Sequence, residues 1–401
     1  VLASRELDVP CVVVDDTVLA LGRLARSVVD GLTDLVVVGI TGSSGKTSTK
    51  DLMAQVVTEL GPVVAPQGSF NTEVGLPLTA LQCDDATRVL VSEMGARGLG
   101  HIAYLCTITP PRIGVVLNVG SAHLGEFGSR ENIAVTKGEL VEAVPAAAAG
   151  GVAVLNADDD LVTAMAARTP GRVVTYGRSP SADVRAESEV LDGEGRASFT
   201  LAADGVHERV TLQLHGAHQV SNALAVAATA LELGIPAAVV ARRLSGATAA
   251  SRWRMEVSTT PAGVTIVNDA YNANPESVLA ALDALVVMGA ATEHRAARRT
   301  WAVLGEMREL GDDTEAAHED VGRAAAERGI DRVVAVGPGA SGVATGAEGV
   351  GGASVVTAVA DVQEAVRLVA GGVAPGDVVL VKASRAAGLE RLALALTEVP
   401  A

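Results

Sequence analysis

Short apolar runs rich in β-branched residues recur along the chain, several of them closed by Gly, Asp, Asn or Ser, and longer stretches lie between them. Runs at 35–40, 62–65, 88–92, 113–117, 152–155 and 172–176 read as strands, with helices between several of them. Such alternation predicts a parallel sheet with helices on both faces. A strand at 10–14 and a helix over 17–29 precede it. The rhythm changes at 183–214, where 184–189, 197–202 and 210–214 read as short strands joined by Gly-containing turns, an antiparallel addition. An almost wholly apolar helix is expected over 218–233, and a second from Pro236 to about Leu244. The Gly/Ala/Ser-rich stretch 245–252 marks a boundary and a natural hinge. Beyond it the α/β rhythm returns, with strands at 264–268, 300–304, 331–336, 353–356 and 377–381. The Gly-rich segment 337–352 reads as a mobile loop.

The first strongly apolar run, Val36 to Ile40, opens directly into Thr41-Gly42-Ser43-Ser44-Gly45-Lys46-Thr47-Ser48. Glycines there allow the backbone to wrap an anion, and the N-terminus of the next helix points its N–H groups at phosphate oxygens. Lys46 supplies a point charge for phosphates and Thr47 a hydroxyl for Mg²⁺. The usual phosphate loop has a further glycine where this chain has Ile40, so the form is the shorter T-G-x-x-G-K-T. Gly-rich turns also join strands to helices with no ligand; Lys-Thr at the helix start favours the phosphate reading.

Composition narrows the classes. The 401 residues suffice for two or three domains, and with 49% hydrophobic but only 2% aromatic residues the core must be built from Val, Leu, Ala and Ile. A net charge of −16 argues against nucleic acid as a partner. Cys11, Cys83 and Cys106 have no metal spacing and are too few for a disulfide framework, which suits a reducing, cytoplasmic setting. No uncharged apolar run reaches the roughly 18–20 residues a membrane helix needs, and the first residues are not a signal peptide. No membrane partner is expected.

Several polar residues stand where a parallel sheet places ligands, just past strand carboxyl ends. Glu93 comes after the run 88–92 and would suit Mg²⁺, a hard cation that prefers oxygen. His123 comes after 113–117 and could face the same crevice, although a lone His is as often a structural residue. Asn156 to Asp160 could cap a helix or line the site. The turn-rich loop Asp269-Ala270-Tyr271-Asn272-Ala273-Asn274-Pro275 succeeds 264–268, and Lys382-Ala383-Ser384-Arg385 succeeds 377–381. On local sequence alone Lys137 reads as a surface lysine on a helix.

Together these residues carry a resemblance. The 41–47 loop, Glu93, His123, Lys137 and the segment Gly216-Ala217-His218 to Asn222-Ala223 resemble the Mur ligase family, from about residue 10 to 396. Within it, Tyr271 to Pro275, Leu304 to Gly311 and Val381 to Arg385 are similar to the branch that joins D-alanyl-D-alanine to UDP-N-acetylmuramoyl-tripeptide. The resemblance implies an α/β protein: a central P-loop-type, mostly parallel sheet ATPase domain (31–248), then a Rossmann-like α/β ligase domain (249–401). Residues 1–30 would be the remnant and linker of an N-terminal domain for the uridine nucleotide substrate, otherwise largely absent. It further implies that Thr47, Glu93, His123 and Lys137 hold Mg²⁺, with Lys137 carbamylated. Residues 41–48, Asn222, Arg254 and Asp269 would contact ATP. Tyr271, Asn272, Asn274, Ser384 and Arg385 would lie near the dipeptide. Three departures stand out: Gln219 where the family has Asn, Ser44 where it has Asn, and Gly125-Glu126 where it has Glu then Gly.

The activity so implied is ATP-dependent amide-bond formation through an acyl phosphate in peptidoglycan precursor synthesis, with Lys46, Glu93, His123 and Lys137 in catalytic roles and a monomer expected. Rivals are another amide ligase of the same superfamily, such as a folylpolyglutamate synthase, a P-loop switch or transport NTPase, and a nucleotide-binding module without turnover. The 271–275 loop argues against the first. The second α/β domain with its polar loops argues against the other two.

Overall fold

The computed structural model describes residues 1–120 and 124–398. Two sheets organise them. A nine-stranded sheet runs, in spatial order, Val206–His215, Arg196–Ala203, Val184–Leu191, Arg172–Gly177, Val152–Asn156, Ile113–Val116, Val36–Thr41, Val89–Glu93 and Val63–Val64. Its first three strands pair antiparallel and all the others parallel. The antiparallel addition therefore extends the same sheet that carries the phosphate loop. A six-stranded sheet runs Glu256–Thr259, Thr265–Asp269, Val378–Lys382, Thr300–Gly305, Arg332–Val336 and Val355–Val359, parallel except for its first pair. Strand Glu256–Thr259 was not expected from sequence; largely exposed at the sheet edge, it has no apolar run to announce it.

Strand Val36–Thr41 lies between Ile113–Val116 and Val89–Glu93 and is buried on both faces, as its continuous apolar run requires. The expected helix at 218–233 is His218–Glu232, and the next is Ala237–Gly246 with Pro236 at its N-cap. The former is sheathed in alanines (Ala223, Ala225, Ala227, Ala228 and Ala230 are buried), and so packs close against the phosphate-loop helix Lys46–Val56. No described helix is long and apolar enough to cross a membrane.

The expected mobile loop at 337–352 is a correction. Pro338–Ala340 forms a turn of 3₁₀-helix and Ser341–Glu348 an α-helix that packs on helix Thr314–Glu327. Its glycines are there for proximity. A Cβ on Gly346 would stand 1.9 Å from the Glu319 carbonyl oxygen, and one on Gly342 2.9 Å from that of Glu315. Composition suggested flexibility; the backbone uses the missing side chains to bring two helices together.

Candidate active site

A cavity of about 550 Å³ lies where the carboxyl ends of both sheets face each other. The central sheet contributes Ser43 to Ser48, Glu93, Asn118 and Lys137, with Ser69 and Asn71 from an intervening loop. The other sheet contributes Arg254, Asp269, Tyr271, Asn272, Asn274, Lys382 and Arg385. Helix His218–Glu232 adds His218, Gln219 and Asn222 at its first turns.

The phosphate loop is clamped from behind. Ser44 N–H donates to Asn118 Oδ1 (2.9 Å), Asn118 Nδ2 returns a bond to the Ser44 carbonyl (3.2 Å), and Ser43 Oγ accepts from Gly120 N–H (2.9 Å). Gly45 has φ +80°, and a Cβ there would lie 2.5 Å from Asn222 Oδ1, so the turn needs glycine twice over. Helix Lys46–Val56 then starts with Lys46 and Thr47 at the cavity. Lys46 Nζ donates to the Gly42 carbonyl (2.6 Å). Burial holds the Lys46 pKa below its ordinary value, and the Glu93 carboxylate pulls it back up.

The hydroxyl of Thr47 is 3.4 Å from Glu93 Oε1 and 3.1 Å from Ser69 Oγ. Asn71 Nδ2 donates to Glu93 Oε1 (2.7 Å), while Oε2 is buried without a hydrogen-bond partner. A buried carboxylate oxygen left unpaired beside a threonine hydroxyl fits a hard divalent cation such as Mg²⁺. Among the described residues no three His, Cys, Asp or Glu cluster, so a metal here would rest on a mixed donor set. The expectation for His123 lies outside the described residues.

Lys137 sits on helix Arg130–Glu142, nearly buried and facing the cavity rather than solvent, against its local reading as a surface lysine. Burial first, and the charge of Lys46 second, hold its pKa well below the ordinary lysine value.

Arg254 reaches across from the second sheet. Its guanidinium donates to Thr47 Oγ1 (3.0 Å) and Ser69 Oγ (3.1 Å) and stacks 4.2 Å over the Tyr271 ring. Its neighbours Trp253 (φ +59°) and Met255 (φ +51°) are both left-handed, a strained turn fixed by bonds from Met255 N–H to Asp269 Oδ1 and from Tyr271 N–H to the Trp253 carbonyl. Asp269 spends its other oxygen on Lys382, which also donates to the Asn272 carbonyl (3.0 Å). Arg385 pairs with Glu390 (2.6 Å) and stacks 4.2 Å over Trp253.

Other expected contacts stand behind the cavity wall. Thr41 is fully buried and its hydroxyl donates to the Met94 carbonyl, Gly42 offers its carbonyl to Lys46, and Ser384 Oγ accepts from Arg308 N–H. Asp159 caps the short helix Asp160–Thr163, and Asp158 accepts from the N–H groups of Arg178 and Ser179. Sequence reasoning passed over Ser69, Asn71 and Asn118, polar loop residues whose partners lie 22 to 185 positions away.

The Mur ligase middle domain pattern matches residues 40–230, and the Mur ligase glutamate ligase domain pattern matches 253–385. A UDP-N-acetylmuramoyl-tripeptide--D-alanyl-D-alanine ligase of Mycobacterium tuberculosis is 48% identical over 99% of this chain and 84% of the relative. The chain belongs to the Mur ligase family. Among solved structures, this Mur ligase superposes on MurF from Acinetobacter baumannii with a TM-score of 0.87 at 30% identity, covering 99% of this chain and 84% of that one. MurF from Thermotoga maritima, solved in complex with ADP, gives 0.84 at 30% identity, covering 98% and 87%.

Proposed function

We propose that the protein joins D-alanyl-D-alanine to UDP-N-acetylmuramoyl-tripeptide, consuming ATP and releasing ADP and phosphate. The observation that carries this reading is the single cavity in which Lys46, Thr47 and Glu93 of one α/β unit face Arg254, Tyr271, Asn272, Asn274 and Lys382 of the other. A plain NTPase needs only the first set. Residues 31–248 form the ATP-binding unit and 249–401 the ligase unit.

The tripeptide's terminal carboxylate attacks the γ-phosphorus, ADP leaves, and an acyl phosphate forms. The dipeptide amine then attacks the acyl carbon, phosphate departs and the amine proton is lost. Phosphoryl transfer needs alignment and charge neutralisation more than covalent help. Lys46 and Arg254 bring positive charge to the phosphates from opposite walls. Asn222 and the first turn of its helix border the nucleotide, and Tyr271, Asn272, Asn274 and Arg385 border the dipeptide. Thr47 and Glu93 would hold Mg²⁺, with His123 and Lys137 at a second position. Bound there, the metal neutralises phosphate charge. Lys137 is carbamylated in this reading: its neutral amine adds to CO₂, an N–C bond forms, and a proton leaves to solvent. Consumption of ATP and three unpaired cysteines fit a cytoplasmic enzyme, and a monomer suffices for the site.

The test is phosphate release with ATP and Mg²⁺ in the presence of the muramoyl tripeptide alone, the dipeptide alone, and both. Release that needs both and disappears in Lys46→Ala supports the ligase. Release indifferent to both substrates leaves a plain NTPase.

A further inference from the structure

Besides the bonds that Arg254 makes to Thr47 and Ser69 in the cavity, three further contacts between the two α/β units differ in strength. The linker is bound to the phosphate-loop helix by mutual bonds between Gln55 and Thr248 (2.9 and 3.1 Å) and by Ser251 N–H on Asp51 Oδ2 (2.9 Å). At the second place, the turn between strands Val184–Leu191 and Arg196–Ala203 is gripped by Arg295, which pairs with Glu194 (2.6 Å) and donates to the Gly193 and Met288 carbonyls (2.9 and 2.8 Å). Charge-assisted bonds of this kind are the strong ones. The third place is different. Gly125, in the short helix Leu124–Phe127, meets Gly311 with no side chain on either residue, and Gly125 N–H donates a long bond, 3.3 Å, to the neighbouring Glu309 carbonyl.

We infer that Gly125 and Gly311 form the catch that closes the ligase unit over the reaction cavity, the unit swinging on the other two contacts. The catch rests on the ligase reading of the cavity. A Cβ on Gly125 would stand 2.6 Å from Gly311 N and 2.7 Å from its Cα, backbone atoms that cannot turn aside. The opposing loop cannot yield easily either. Met307 N–H donates to buried His318 Nε2 (2.8 Å), Arg308 N–H to Ser384 Oγ (3.0 Å), and Ser384 N–H to the Glu306 carbonyl (2.9 Å). Leu310 is buried, and Glu309 and Gly311 are both left-handed (φ +67° and +66°). Against that braced loop, an added methyl on Gly125 pushes the units apart. Glu309 lines the cavity, so the gap opens at the reaction site. The glycine at 125, inverted against the family's Glu-Gly order, is thereby a positioning residue that keeps water from the acyl phosphate. When water does enter, its oxygen attacks the acyl carbon and the C–O bond to phosphate breaks. The carboxylate is regenerated and a proton goes to solvent, so ATP is spent without an amide.

The experiment measures phosphate released per amide formed, with ATP, Mg²⁺ and both substrates, for the intact enzyme and for Gly125→Ala and Gly125→Val. ADP affinity, read by calorimetry, reports the integrity of the central unit. The expected result is a ratio raised at least about threefold in the alanine variant and further in the valine variant, with ADP still bound. If valine prevents folding, alanine, a single added carbon, carries the test alone. A ratio equal to wild type in a variant that binds ADP overturns the catch, whether or not its turnover falls. A wild-type enzyme that forms no amide would instead remove the ligase reading on which the catch depends.

Discussion

Asn71 Nδ2 donates a 2.7 Å hydrogen bond to Glu93 Oε1, and the other oxygen of that carboxylate is buried with no partner. The amide thus fixes the carboxylate's rotation and turns one lone oxygen toward the cavity. Partners that orient a metal ligand typically matter about 10- to 100-fold in affinity. Replacing Asn71 with Ala is expected to weaken divalent-metal binding to the ADP complex by at least about tenfold, within that range. Titration with Mn²⁺ monitored by paramagnetic resonance reads this without turnover. Unchanged Mn²⁺ affinity would remove Asn71 from the metal's surroundings.

Lys137 is the second expectation. Its pKa is held well below the ordinary value by burial and by Lys46, so the neutral amine that CO₂ requires is available at a lower pH than on a surface lysine. Carbamate formation should rise as pH climbs through that lowered pKa. Activity should fall in CO₂-depleted buffer and return with bicarbonate. Lys137→Arg should be inactive, since a guanidinium does not lose its proton. Isotopically labelled bicarbonate should give a protein-bound carbamate resonance that Lys137→Arg lacks. Full activity without CO₂ would end the idea.

His218 supplies a pH dependence of stability. Burial lowers its pKa from the ordinary 6.5 to about 4, with Asp269 opposing and Lys382 assisting. The unfolded chain takes up a proton below 6.5, while the folded protein does not until about 4. The contribution is therefore complete above 6.5 and is lost as pH falls toward 4, since the unfolded state binds more protons in that window. The loss is on the order of 2 kcal/mol. Unfolding free energies from urea curves at about pH 7 and about pH 4.5 should differ less for His218→Gln than for wild type by that amount. An identical acid loss in the variant would place the sensitivity elsewhere.

Much of the architecture was legible because it is local. Val36 to Ile40 announces a doubly buried strand, and Gly45-Lys46-Thr47 announces a phosphate loop opening into a helix, since each signal fits within a few residues. Glu93, Asp269 and Lys382 were legible by one step more, the rule that strand carboxyl ends face ligands. The features that escaped depend on partners distant in sequence. Nothing local tells that Asn71 will hold Glu93, or that Ser384 will accept from Arg308 rather than face the cavity. Glycine is the hardest to read. At 45 it serves a turn, at 125 an interdomain contact and at 346 a helix pair, and the letter is the same.

Gly346 offers a test in which two effects have opposite signs. On propensity alone, Gly to Ala inside a helix should stabilise by about 1 kcal/mol. Packing says otherwise. The new Cβ would lie 1.9 Å from the Glu319 carbonyl oxygen and 2.6 Å from its carbon, contacts that force helices Ser341–Glu348 and Thr314–Glu327 apart. Overpacking of this kind costs about 1–3 kcal/mol, and backbone against backbone belongs at the upper end. The net expectation for Gly346→Ala is destabilisation by about 2 kcal/mol. Gly371, in helix Val362–Gly372, has nothing within 4 Å of its Cβ position, so Gly371→Ala isolates the propensity term and should be neutral or stabilising. Urea unfolding of both variants separates the two effects. If Gly346→Ala were as stable as Gly371→Ala, the two helices would have to stand further apart than their glycines allow, and the segment 337–352 would be the loose loop its composition suggests.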